Sequence, residues 1–418
     1  MEIAEIGEFG LIRHLTENIK IQNAETRKGV GDDCAVLQFE TGRQVLVTTD
    51  LLMEGVHFDL QYTPLKHLGY KSAMVNLSDI YAMNGRPRQM TVSLALSKRF
   101  KVEDMEQFYE GLQLACEAHG CDIVGGDTTS SLTGLAISIT CIGDARPEDI
   151  VYRDGAKDTD LICVTGDLGA AYMGLQLLER EKAVFNSQLR DLAIKSPGAI
   201  ARGRASGENN GATSGDGTSG ATSGDGTSGD GTSGAGSGDG ASGATSGAGS
   251  GDGASGASSG AMEDLVADFQ PDFSGREYLL ERQLKPEARR DIIEALAKAG
   301  IRPTAMMDIS DGLSSELHHI CSQSHTGCRI YEERIPLDYQ TAVMAEELNM
   351  NVTTCAFNGG EDYELLFTVP LTEHDRVAAI PGVKVIGHIT KPELGLLLVC
   401  RDGTEMELRA QGWNHMRK

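Results

Sequence analysis

The sequence predicts a mixed α/β (α+β) fold in two domains, on three observations. Strand patterns and helix patterns alternate along the chain, as where QVLVTT (44–49) precedes a helical period over 65–83. The 418 residues exceed the usual size of one domain, and a hydrophobic content of 40% can fill two cores. One segment of different composition interrupts the chain. From Gly207 to Gly260 it holds Gly, Ser, Thr, Ala and Asp, apart from Glu208, Asn209 and Asn210. Without large apolar side chains such a segment cannot repay its ordering entropy, so a flexible loop is expected there. The domains are accordingly set at 1–150 and 151–418, the second interrupted by an insert at about 186–268.

Element by element, Gln44–Thr49 reads as a strand and Leu65–Met83 as a helix. Met90–Leu96 alternates apolar and polar residues as a strand does, and Val102–His119 is an amphipathic helix that Gly120 closes. Leu135–Ile142 is a further strand. Asp160–Val164 is another, running through the turn TGDLGAA (165–171) into a helix near Ala170–Arg180. That turn is read in two ways, as a phosphate site at a helix N-terminus or as a plain tight strand-to-helix turn. After the insert, Pro286–Ala299 and Ser314–Ser322 are helical, and Leu365–Val369 and Leu396–Cys400 are short strands.

Composition narrows the function. A net charge of −24 argues against a nucleic-acid partner. An acidic protein that handles phosphates needs a cation such as Mg²⁺ between like charges, although acidity also serves solubility. The nine cysteines are odd in number and form no CxxC pair, which suits reduced thiols in the cytoplasm. The first residues show no basic-then-apolar signal pattern, and no run of 18 apolar residues offers a membrane span. Several GxGxxG strings and one GxSxG string (256–260) fall inside the low-complexity segment, without the strand and helix those motifs require. His318-His319 has no zinc-site spacing, and no Walker motif occurs.

Five acidic strings stand out: Asp32-Asp33, Thr48-Thr49-Asp50, Ser78-Asp79, Gly125-Gly126-Asp127 and Asp308-Ile-Ser310-Asp311. Asp50 and Asp127 are expected at strand ends and Asp79 late in a helix. Asp308 and Asp311 share a face if their turn is helical. Singly, each has an ordinary reading as a turn former or helix cap. Together, beside apolar strands and helices, they suggest carboxylates gathered around shared Mg²⁺, because buried carboxylates without a cation are costly.

These strings resemble the thiamine-monophosphate kinase family, of the aminoimidazole-ribonucleotide-synthetase-like superfamily. The matching stretches are GEFGLI (7–12), GDDCAV (31–36), TTDLLMEGVHF (48–58), NLSDIYAMNGRP (76–87), GGDTT (125–129), YRDGAK (152–157), DISDGL (308–313), NGGEDYELLFT (358–368) and GWNHM (412–416). The resemblance implies ATP-dependent phosphorylation of thiamine monophosphate. It implies a homodimer whose N-terminal sheets join in a barrel-like core, with a C-terminal α/β sandwich domain. By motif position it implies that Asp33, Asp50, Asp79, Asp127 and Asp308 hold several Mg²⁺ ions, with Thr48, Thr49 and Asp311 contributing. Gly126, Asp127, Arg153 and Ser310 would contact ATP, and His57, Glu361 and Trp413 the thiamine substrate. Asp50, Asp127 and Arg153 are the residues expected to carry the chemistry. Potassium is a further cation it leaves open. Two other readings are kept: a phosphorylating ligase or cyclase of the same superfamily, and a non-catalytic nucleotide- or metal-binding module.

Overall fold

The computed structural model describes residues 14–28, 36–37, 39–195 and 271–409. Asp33, Trp413 and nearly all of the Gly/Ser/Asp-rich insert lie outside the described residues. The described residues up to Lys182 and from Asp272 onward form one compact unit, and Ala183–Pro271 is assigned to a second.

Short strands β1 (Thr26–Lys28) and β2 (Val36–Leu37) pair with each other. Strand β3 (Gln44–Met53) then starts a four-stranded sheet with β4 (Arg86–Leu96), β5 (Asp122–Ser130) and β6 (Leu135–Ala145). The order is β3-β6-β4-β5, antiparallel except for the parallel pair β4–β5. A parallel pair needs a crossover, and helix α2 (Val102–His119) supplies it. Strand side chains alternate between faces, so Leu46, Leu52, Val92, Leu94, Ile137 and Ile139 pack into one core with α2 and helix α1 (Leu65–Ala82). The two helices cross closely because glycine stands at the contact. A Cβ on Gly111 would lie 1.7 Å from the Lys66 carbonyl oxygen, and one on Gly69 1.9 Å from that of Phe108.

The second sheet has seven strands: β7 (Leu161–Thr165), β8 (Ala305–Asp308), β9 (Gly327–Tyr331), β10 (Leu365–Val369), β11 (Val383–Thr390), β12 (Leu396–Val399) and β13 (Glu405–Glu407). Their order is β13-β12-β9-β11-β7-β10-β8, and only β12–β9 is parallel. Every residue of β7 and β10 is buried, because helices cover both faces. On one side α3 (Leu313–Ser324) contributes Leu313, Leu317 and Ile320, and on the other α4 (Arg290–Ala299) contributes Ile292 and Leu296. Neither sheet closes on itself among the described residues.

Three local readings differ from the sequence expectation. The helix expected over 286–299 is α4 alone, preceded by a separate α5 (Glu277–Leu284). Pro286 explains the break, since the residue before a proline is driven out of the helical region. Asp50 and Asp127 lie inside their strands, which run on to Met53 and Ser130. The turn between Asp308 and Leu313 is not helical, so Asp308 and Asp311 share no helix face. No helix of the described residues is long and apolar enough to cross a membrane.

Candidate active site

Thr48 and Asp50 take the same side of β3 as the buried Leu46 and Leu52, which turns them toward α1. Asp79 projects from the last turn of α1 and accepts a hydrogen bond from the Thr48 hydroxyl. Asp308 ends β8, is 3% exposed, and accepts a 2.6 Å bond from Ser78 Oγ. Burial, then the neighbouring charge of Asp79, raises the Asp50 carboxyl to about 6. Burial also raises Asp79, while the Thr48 bond and the Arg153 charge act against it. Asp308 is pushed to about 7 by burial and then by Asp79, with Ser78 and Arg153 opposing. Asp50 Oδ2 is buried and has no hydrogen-bond partner among the described residues. These are carboxylates in mutual repulsion, with Arg153 as the cation acting on Asp79 and Asp308.

Beside them the DISDGL and GGEDYEL segments are knitted together. Leu365 pairs with Asp308 across β10 and β8, which brings the two segments side by side. Glu361 N–H donates to Ser310 O at 2.7 Å and Tyr363 N–H to Ile309 O at 2.9 Å. The buried Glu316 carboxylate collects the N–H groups of Ser310 (3.1 Å) and Asp311 (2.8 Å). Glu361 (φ 58°) and Tyr363 (φ 51°) hold left-handed backbone, a conformation that costs a side-chain-bearing residue about 1–2 kcal/mol. Asp362 between them accepts from Gly169 N–H at 2.8 Å and Ala171 N–H at 3.4 Å. Those groups open helix α6 (Ala170–Lys195). The TGDLGAA turn therefore meets a carboxylate of the chain itself, which supports the tight-turn reading.

Two cavities flank the acidic group. One, of 620 Å³, is lined by Asp50, His57, Tyr62, Tyr172, Ser310 and Glu361 among others, and also reaches Asp311. The other, of 480 Å³, is lined by Thr48, Asp79, Arg153, Met83 and Met307 among others. Asp50 faces the first and Asp79 the second, so the carboxylates stand between two spaces.

The fold thus brings together Thr48, Asp50, Asp79, Asp308 and Arg153, and beside them Ser310, Asp311, His57 and Glu361. It does not bring Thr49, Gly126 or Asp127 there. Thr49 alternates to the opposite face of β3 from Thr48 and Asp50, and bonds Ile139 O at 3.1 Å. Asp127 pairs with Ser93 at the far edge of the sheet and is exposed. A Cβ on Gly126 would lie 1.8 Å from Val92 O, so strand packing already demands glycine there. Sequence reasoning missed Lys71, Glu316 and Asp362. The signal for Lys71 was present, as a lysine inside the otherwise uncharged run GYKSAM (69–74) of α1.

Among the described residues no group of three or more His, Cys, Asp or Glu side chains forms a ready metal cage. The donors that do meet are all hard oxygens, and the partnerless Asp50 Oδ2 with the raised Asp50, Asp79 and Asp308 is what Mg²⁺ would relieve. On that chemistry the residues fit the ion.

This chain has known counterparts in sequence and in fold. Family models described as the AIR synthase related protein N-terminal domain and C-terminal domain match residues 31–145 and 238–397. Together they span more than half of the sequence, and the chain belongs to the AIR synthase related family. Within it, the chain is similar to thiamine-monophosphate kinases. That of Aquifex aeolicus (strain VF5) is 29% identical, over 94% of this chain and 98% of the relative. That of Bacillus subtilis (strain 168) is 26% identical, over 98% and 99%. A solved structure described as "AaThiL complexed with AMPPCP and TMP" aligns with a TM-score of 0.61 at 27% identity, covering 100% of this chain and 99% of that one.

Proposed function

We propose that this chain transfers the γ-phosphoryl group of ATP to thiamine monophosphate, yielding thiamine diphosphate and ADP. The observation that carries the reading is the set of buried, mutually repelling carboxylates between two cavities. Two anionic substrates must meet there, and phosphoryl transfer is governed by positioning and charge neutralisation. The structure of a similar protein with AMPPCP and TMP supports the choice of substrates. An oxygen of the thiamine phosphate attacks the γ-phosphorus, and the bond from that phosphorus to the β–γ bridging oxygen breaks. The attacking oxygen is already anionic, so the step needs no strong general base.

Asp50, Asp79 and Asp308 would hold Mg²⁺, with Thr48, Asp311 and Asp33 contributing. The ion would neutralise phosphate charge there. Arg153 adds a fixed cation at the 480 Å³ cavity, which we assign to the triphosphate. His57 and Glu361 line the 620 Å³ cavity, which we assign to the thiamine moiety, with Trp413 as a further contact. Ser310, the further residue proposed for ATP, lines the same 620 Å³ cavity beside Asp50. No described residue is assigned to potassium, which replacement by sodium in the assay tests.

We further propose a homodimer joined through the four-stranded sheet into a barrel-like core, with domains at 1–150 and 151–418. Edge strand β3 supports this, with Val45, Val47, Leu51 and Met53 exposed in a row on the face away from the helices. Gly126, Asp127 and Thr49 would act at that assembled face. A cytoplasmic location suits the eight described cysteines, none of which is in a disulfide.

The deciding measurement is ADP release with ATP, Mg²⁺ and thiamine monophosphate, with unphosphorylated thiamine as control. Turnover with the monophosphate alone is expected. ATP binding without turnover of any thiamine phosphate would favour a silent binding module, and turnover only with another acceptor would favour a ligase or cyclase.

A further inference from the structure

Lys71 is 5% exposed, in the middle of α1, where Leu68, Gly69, Tyr70, Ser72, Ala73 and Met74 are all buried. An ammonium group is costly to bury, so its partners bear on why it is there. It donates to Glu361 Oε2 at 3.1 Å and to the carbonyl oxygen of Gln283 at 3.0 Å. Gln283, on α5, sends its own Nε2 to the same Oε2 at 3.0 Å. Glu361 is thus gripped from two elements by one oxygen. Its backbone is also fixed, at φ 58° and by its bond to Ser310. Among the described residues the other oxygen, Oε1, has no hydrogen-bond partner, and Glu361 lines the 620 Å³ cavity.

We infer that Lys71 is a positioning residue for substrate choice: with Gln283 it occupies Glu361 Oε2 and presents Oε1 as an anionic acceptor to an amino donor in the cavity. This rests on the kinase reading above and deepens it. The ligand chemistry is an amino group on a heteroaromatic ring, which in thiamine monophosphate is the exocyclic amine of the pyrimidine. A carboxylate free to rotate would lose rotamer entropy on accepting that bond, and one already held in place does not. The opposing view is a structural bridge that fastens α1 to the GGEDYEL segment. That view predicts losses indifferent to what the substrate carries.

The test compares thiamine monophosphate with an analogue in which hydrogen replaces the exocyclic amine, in wild type and in Lys71→Met. In wild type the analogue should have a KM at least about tenfold higher, the scale of one hydrogen bond to a charged group. In Lys71→Met that ratio should fall to about two, because the loss falls mainly on the amine-bearing substrate. KM for ATP should not move, and Lys71→Arg should restore part of the ratio. An unchanged ratio in Lys71→Met, or an equal rise for both substrates and ATP, overturns the inference. Should Lys71→Met fail to fold, Gln283→Met removes the other donor to Oε2 and leaves the lysine in place. There the ratio should drop by about half, and an undiminished ratio overturns the inference equally. A wild-type protein that never phosphorylates thiamine monophosphate overturns the kinase reading and this inference together. Turnover in wild type with no effect of either variant on the ratio overturns this inference alone.

Discussion

Asp50, Asp79 and Asp308, the carboxylates proposed to hold Mg²⁺, are buried beside one another's charge. Their raised carboxyl values mean that each is costly to ionise in the folded chain without a cation. Neutralising one should therefore help the metal-free fold and harm the reaction. Asp50→Asn or Asp308→Asn is expected to raise the melting temperature in EDTA by about 2 °C, the scale of a kcal/mol for a chain this size. The same variants should lose about a hundredfold or more in kcat at saturating Mg²⁺, as when one electrostatic stabiliser is removed. Thermal melts with and without Mg²⁺ check the first part and steady-state kinetics the second. A variant that melts lower in EDTA yet turns over normally would remove these carboxylates from the site.

At the scale of elements, α1 is the part on which most of the site depends. It carries Lys71, Ser78 and Asp79, and its position is set by its crossing with α2 at Gly69 and Gly111. Gly111→Ala puts a methyl group 1.7 Å from the Lys66 carbonyl oxygen, so the helices must separate. We expect a loss of about 1–3 kcal/mol, the usual cost of overpacking, measured by urea unfolding. Activity should fall more than stability explains, because Asp79 moves with its helix. Normal stability in this variant would show that the crossing has room. In α2 the strong amphipathic pattern and the closing Gly120 (φ 64°) were legible from sequence alone. The length of β4 was not. It begins at Arg86 within a polar stretch, where pairing with β6 decides the matter and hydrophobic period does not.

At the scale of the whole molecule, edge strand β3 of the four-stranded sheet leaves a row of apolar side chains exposed. Val47, 65% exposed, is the most prominent of an apolar row that water should not be left to cover. Val47→Glu places a charge in that row and is expected to convert a dimer to a monomer in light scattering. Since Val47 also borders the 480 Å³ cavity, turnover should fall along with assembly. A wild-type monomer at micromolar concentration, or a dimer untouched by the charge, would defeat the proposed arrangement.

The sequence by itself determined the class of fold and most of the strands and helices, and it offered the motif residues as candidates. These follow from local periodicity and from residue types that make sense together only near phosphate and cation. Tertiary structure alone decided which of them meet. Thr48 and Thr49 are neighbours in sequence, yet strand alternation sends one to Asp79 and the other to the opposite face. Asp127 has the same motif credentials as Asp50 but lies at the far edge of the sheet, because strand order is settled by packing over long sequence separations. Lys71 and Glu361 stand 290 residues apart, and no local pattern links them. Only the docking of α1 against the GGEDYEL segment, driven by shared burial, puts the ammonium on the carboxylate.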